Sequence, residues 1–199
     1  MHEFDYIIDK INAAELLTSP YEHVWIDNFL SDEHYAQLVK NYHAQQFAPR
    51  DDDHSTSANV EWQPFREFIQ TSKSLYDAMQ TKLTATRLWD DISKIVNIYL
   101  WDNPEHYIHL HSDALNGKET IQWHIYMPDI DYKKYGTILC KVDKNSYNEN
   151  NDNCFDILES KELPLTRNSF LAYGRNANAD YHYTEPGDRV RKSLLARYI

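Results

Sequence analysis

The chain has 199 residues, 42% of them hydrophobic and 14% aromatic, which suits one sizeable domain with its own core and excludes a wholly disordered chain. A formal charge of −11 disfavours nucleic acid and anionic membrane as partners. There are two cysteines, Cys140 and Cys154, and the start Met-His-Glu-Phe-Asp has neither the basic nor the apolar stretch of a leader. No apolar run approaches the roughly 20 residues that span a bilayer, so a cytoplasmic protein with no membrane partner is the expectation.

In chain order, Ser31 is placed to cap a helix whose first turn holds Asp32 and Glu33 and whose apolar face is Tyr35, Leu38, Val39 and Tyr42. Asp51 to Asp53, followed by Ser and Thr, reads as an exposed loop and not a metal site, because no partner ligand stands at a recognisable spacing. A second helical zone is expected from about Pro64 to Met79, and Trp89, Ile92 and Ile95 predict a further helix before the apolar run Val96 to Trp101. All four glycines lie after residue 116, where tight strand reversals need them. Strands are predicted at Ile121 to Met127, Thr137 to Val142, Ser169 to Tyr173 and Val190 to Tyr198. Asp143 to Ser160, rich in Asn, Asp, Glu and Ser, reads as a loop, either a solvated connection or a lid. With no internal repeat or linker, the expected architecture is one mainly β domain over 1–199. A helical part, about 1–95, would cover a β sandwich or barrel, about 96–199.

The chemistry concentrates in Tyr107-Ile-His-Leu-His-Ser-Asp113. On a strand, Tyr107, His109, His111 and Asp113 share one face, and Ile108 and Leu110 share the other, which is expected to meet the helices. Two imidazoles and a carboxylate on one face of an octahedron leave three positions open, as non-haem Fe(II) requires. His182 is the candidate remote ligand. Arg191 follows nine residues later (191 − 182 = 9), far enough to turn at Pro186-Gly187 and return on the neighbouring strand. Its guanidinium suits bidentate pairing with a carboxylate. Alternation places Ser193 on the same face as Arg191 and Lys192 on the other. Trp123, His124 and His109 are candidates for the cavity wall, as packing or hydrogen-bonding residues.

At these residues the chain resembles the 2-oxoglutarate- and Fe(II)-dependent dioxygenases, in their prolyl 4-hydroxylase-like branch. Pro20 to Leu30 resembles that branch's leading strand and first helix, and His111-Ser-Asp113 its metal motif. Ile125-Tyr-Met127 and Gly136-Thr-Ile-Leu139 resemble its core strands, and His182, Pro186 and Arg191-Lys-Ser-Leu194 its closing signature. The resemblance implies a double-stranded β-helix (jelly roll) with helices on one sheet. It implies Fe(II) on His111, Asp113 and His182, and 2-oxoglutarate held through its distal carboxylate by Arg191 with Ser193 and Tyr126. O2 would be the second co-substrate. Tyr126 is equally readable as a core aromatic. The implied reaction is hydroxylation of an unactivated C–H bond with release of succinate and CO2, on a peptide, prolyl among them, or a small molecule. Asp113 is intact, which disfavours halogenation. The chain departs from the branch in having Tyr135-Gly136-Thr137 where paired glycines are common. Two other readings stand beside this one: a cupin-type metal site using His109, His111 and Glu119, and a non-catalytic binding module on the same scaffold.

Overall fold

The computed structural model describes residues 2–49, 55–104, 108–111, 120–148, 155–175, 180–185 and 188–199. Four helices occupy the first part: α1 (Asp5–Ala13), α2 (Asp32–His43), α3 (Gln63–Thr71) and α4 (Lys73–Lys82). Three short strands lie among them: β1 (His23–Ile26), β2 (Ala48–Pro49) and β3 (Ser55–Asn59). Eight follow: β4 (Ile95–Asp102), β5 (Ile108–His111), β6 (Thr120–Tyr126), β7 (Tyr132–Asp143), β8 (Asp156–Leu165), β9 (Ser169–Arg175), β10 (Asp180–Thr184) and β11 (Arg191–Tyr198). They form a seven-stranded sheet, ordered β1-β9-β6-β11-β4-β3-β2, and a four-stranded sheet, ordered β5-β10-β7-β8. Neighbouring strands pair antiparallel, the jelly-roll arrangement expected of this sequence.

The helices cover only the larger sheet. Strand alternation turns Ile121, Trp123 and Ile125 of β6, Phe170 and Ala172 of β9, and Leu194, Ala196 and Tyr198 of β11 toward them. Leu38 and Tyr42 of α2, Phe65 and Ile69 of α3 and Leu75, Tyr76 and Met79 of α4 complete this core. Ser31 accepts a hydrogen bond from the His34 amide at 3.2 Å, so α2 starts where its cap dictates. Asn168, at φ 56°, joins helix layer to sheet: its Oδ1 accepts from Leu30 N at 2.8 Å and its Nδ2 donates to Leu30 O at 2.9 Å.

Four expectations are corrected. The zone from Pro64 to Met79 is two helices, because Ser72 is extended (ψ 94°) and caps α4 by accepting from the Leu75 amide. Trp89 to Ile95 holds only a 3-10 turn, Trp89–Asp91, since Ser93 and Lys94 give their amides to the Ile199 carbonyl and belong to the sheet margin. Residues before 96 supply, besides the strand expected within Pro20 to Leu30, the short strands β2 and β3, hidden by their shortness. The loop from Asp143 to Ser160 is shorter than expected, because β8 begins at Asp156; the exposed side chains of this edge strand give it a loop-like composition. Its partner β7 bends at Tyr135, φ 74°, and Gly136, where a Cβ would lie 2.5 Å from the Pro164 carbonyl oxygen. Asp51 to Asp53 lie outside the described residues.

The smaller sheet carries its own apolar outer layer. Leu110, Ile138, Cys140 and Val142 cluster there with Phe155, Ile157, Tyr181 and Tyr183. Leu110 was expected to face the helices, but β5 belongs to the smaller sheet, where Leu110 joins this outer cluster instead. Among the described residues no helix is long and apolar enough to cross a membrane.

Candidate active site

Between the two sheets polar side chains share the interior with an apolar cluster of Leu139, Leu163, Leu165, Leu171 and Tyr173. On the smaller sheet His182 pairs in register with His111 on one side and Leu139 on the other. Their imidazole centroids are 4.3 Å apart, with His182 5% exposed and His111 half-buried. The structure therefore brings together the two histidines that the sequence separates by 71 positions (182 − 111 = 71). Asp113, the expected carboxylate between them, lies outside the described residues, as do Glu119 and the side chain of His109. Among the described residues no group of three His, Cys, Asp or Glu side chains could hold a metal ion.

On the larger sheet β11 and β6 present Arg191, Ser193, Tyr126 and His124 inward. Ser193 and Tyr126 are register partners. Tyr126 shares a 2.7 Å hydrogen bond with the Thr137 hydroxyl of β7, tying the two sheets. Burial pushes the Tyr126 pKa up, so its hydroxyl keeps its proton. Arg191 is 8% exposed, with its guanidinium carbon 5.9 Å from the Tyr126 ring centroid. Its register partner Asp102 is also buried and supplies the counter-charge, Nε to Oδ2 3.7 Å, beyond hydrogen-bonding reach. Arg191 Nε and Nη1 and Ser193 Oγ are enclosed and have no hydrogen-bond partner among the described residues.

The neighbouring cations are committed elsewhere. Lys192 lies on the opposite face and holds Asp129 at 2.6 Å. Arg189 stacks on Tyr135 and Tyr132, 3.4 and 4.3 Å from their centroids. A cleft lined by Asp102, Tyr135, Thr184, Glu185, Arg189 and Arg191 opens beside the Arg191 guanidinium.

His124 and Trp123 part company. His124 lies inward, its ring nearly parallel to those of Tyr126 and Tyr173, at 5.8 and 6.2 Å. Trp123 was expected at the cavity wall, but alternation sends it to the helix-side core, where it packs on Phe170. The residues missed from the sequence are Asp102, Thr137, Gln122 and Tyr173. Asp102 was within reach: it ends the run Val96 to Trp101 in phase with Leu100 and Ile98, and a buried charge there signals a partner.

No protein-family model matches the chain, and no curated protein matches it in sequence. Solved structures do match in shape. A Pseudomonas putida prolyl-4-hydroxylase is similar with a TM-score of 0.60 and 10% identity, covering 97% of this chain and 96% of its own. A Trichoplax adhaerens prolyl hydroxylase, solved with a hypoxia inducible factor peptide fragment, gives 0.62 and 12%, covering 98% and 88%. HygX from Streptomyces hygroscopicus, with nickel and 2-oxoglutarate bound, gives 0.58 and 8%, covering 100% and 86%. The fold is that of the 2-oxoglutarate and Fe(II) oxygenases. Within that fold, the side chains of this chain fit both groups the sequence implied. The paired imidazoles of His111 and His182 are borderline donors suited to Fe(II). The unused donors of Arg191 and Ser193 suit an entering carboxylate.

Proposed function

We propose that the protein is a 2-oxoglutarate- and Fe(II)-dependent dioxygenase that hydroxylates an unactivated C–H bond, with residues 1–199 acting as one catalytic unit. His111, Asp113 and His182 would hold the iron. Arg191, with Ser193 and Tyr126, would hold the distal carboxylate of 2-oxoglutarate. The observation that carries this reading is the buried, donor-rich Arg191–Ser193 pair, enclosed in the same interior as the adjoining imidazoles of His111 and His182. An enclosed guanidinium with unused N–H groups is costly unless an acceptor arrives, and the oxygenase fold supplies one of the right chemistry.

When bound, iron and 2-oxoglutarate would supply the oxidising power drawn from O2, with succinate and CO2 as co-products. The protein's part is binding and enclosure. Arg191 neutralises and orients the distal carboxylate. Tyr126, kept protonated by burial, fixes the wall through Thr137, and the apolar lining of Tyr126, Tyr173 and Leu171 excludes water. The substrate is a peptide or a small molecule. The Trichoplax structure holds a peptide and a second HygX structure holds hygromycin B, so both classes fit this scaffold.

The test is succinate release from 2-oxoglutarate with Fe(II) and O2 against panels of prolyl peptides and small metabolites. Turnover that depends on iron and disappears in His182→Ala is expected. Iron-loaded protein that releases no succinate, with or without any panel member, would overturn the assignment.

A further inference from the structure

On the inner face of the seven-stranded sheet four side chains are successive neighbours: Arg191, Tyr126, His124 and Tyr173. The guanidinium carbon is 5.9 Å from the Tyr126 centroid, the His124 ring 5.8 Å from that of Tyr126, and the Tyr173 ring 6.2 Å from that of His124. His182, across from it on the smaller sheet, has its ring 5.6 Å from that of Tyr173. His124 therefore adjoins both Tyr126, the ring beside the candidate carboxylate anchor, and Tyr173, the ring beside the candidate iron ligand His182.

Its neighbours decide where its proton sits. Arg197 Nε can only donate, and it lies 2.8 Å from Gln122 Oε1. That contact orients the amide, so Gln122 Nε2 carries both hydrogens. Nε2 donates to the Tyr173 hydroxyl at 2.8 Å and to His124 Nε2 at 2.9 Å. A ring nitrogen that accepts cannot also carry a proton. Burial first, and the nearby charges of Arg191 and Arg197, hold the His124 pKa well below its ordinary value, so the ring is neutral. Its single proton is therefore on Nδ1.

That Nδ1 atom is enclosed and has no hydrogen-bond partner among the described residues. Folded interiors rarely leave an N–H in this state, because its lost hydration is not recovered. Ser193 Oγ and Arg191 Nη1 share the condition along the same wall. Three enclosed polar groups without partners, on one face, call for a ligand bearing oxygen acceptors.

We propose that His124 Nδ1–H is a ready-made donor to an oxygen of bound 2-oxoglutarate, a contact between the Arg191 anchor and the His111 and His182 imidazoles. This rests on the co-substrate assignment above. Gln122 and Arg197 are then positioning residues: they fix the amide, the amide fixes the tautomer, and the tautomer aims the donor.

Two measurements test it. In 15N-labelled, metal-free protein, long-range proton–nitrogen correlation is expected to show His124 protonated at Nδ1. Gln122→Leu should release Nε2 and move the proton there. A wild-type ring protonated at Nε2 would overturn the proposal. In calorimetry of 2-oxoglutarate binding to Mn(II)-loaded protein, His124→Gln removes the Nδ1 donor and should weaken binding about tenfold. His124→Asn retains an N–H at that distance from the backbone and should stay within about threefold of wild type. Wild-type binding with unchanged affinity in His124→Gln overturns this contact alone. Wild-type protein that binds no 2-oxoglutarate overturns the co-substrate assignment and the contact with it.

Discussion

The two sheets are built to different standards. The seven-stranded sheet has the helix layer behind it and a partly polar inner face, so its central strands are largely buried on both sides, as β6 is along its whole length. Among the described residues no helix packs in the outer cluster of the four-stranded sheet. Its outer layer is a small cluster around Ile138, Cys140 and Val142, covered by Phe155 and two tyrosines. The larger sheet thus supplies Arg191, Ser193, Tyr126 and His124 from a braced wall. The smaller sheet contributes the two histidines from a thinner one. A dicarboxylate anchor needs fixed geometry, whereas a metal ion can draw its own ligands together on binding.

Breaking the braced wall should cost most. Phe170 stacks on Phe29 at 4.0 Å within the helix-side core, and Phe170→Ala is expected to lose about 4 kcal/mol in urea unfolding. Next comes the bend of the thinner wall. Gly136→Ala forces a methyl against the Pro164 and Leu163 carbonyls and should cost about 3 kcal/mol, with the β7–β8 amides losing hydrogen-exchange protection first; uniform loss across both sheets would contradict the division. Arg191→Met keeps the side-chain length and removes the donors. It should raise the Kd for 2-oxoglutarate about 100-fold while leaving metal affinity near wild type, and a parallel fall in both would merge the two walls into one unit. Ile138→Ala, in the small outer cluster, should cost about 2 kcal/mol, less than Phe170→Ala because the site can collapse. Ser31→Ala removes only the α2 cap and should cost about 1 kcal/mol, read as a small shift in the urea midpoint.

The α2 cap and the core strands β6, β9 and β11 follow from patterns that a single sequence carries, cap residues and alternation, whereas the meeting of His111 with His182 and of Arg191 with Tyr126 was expected from the resemblance of their motifs. What escaped has a common cause. Alternation says that two faces differ, but where both are buried it does not say which one turns inward. Trp123 and His124 were therefore grouped, although one faces the helices and the other the cavity. β8 escaped because an edge strand with polar side chains has the composition of a loop. Gln122 and Tyr173 escaped because their role depends on Arg197, 75 positions after Gln122 (197 − 122 = 75).

The Asn168 side chain, paired with the backbone of Leu30, sets a timetable for synthesis. Its partners are 138 residues apart, and β1 likewise waits for β9 to arrive before it has a strand to pair with. On the ribosome the first quarter of the chain can form α2 but cannot tie its entry segment at Leu30 to the sheet until Asn168 has emerged. The early helices must therefore remain undocked while most of the sheet they will cover is still being made, and the burden of keeping their apolar faces from other chains falls on that interval.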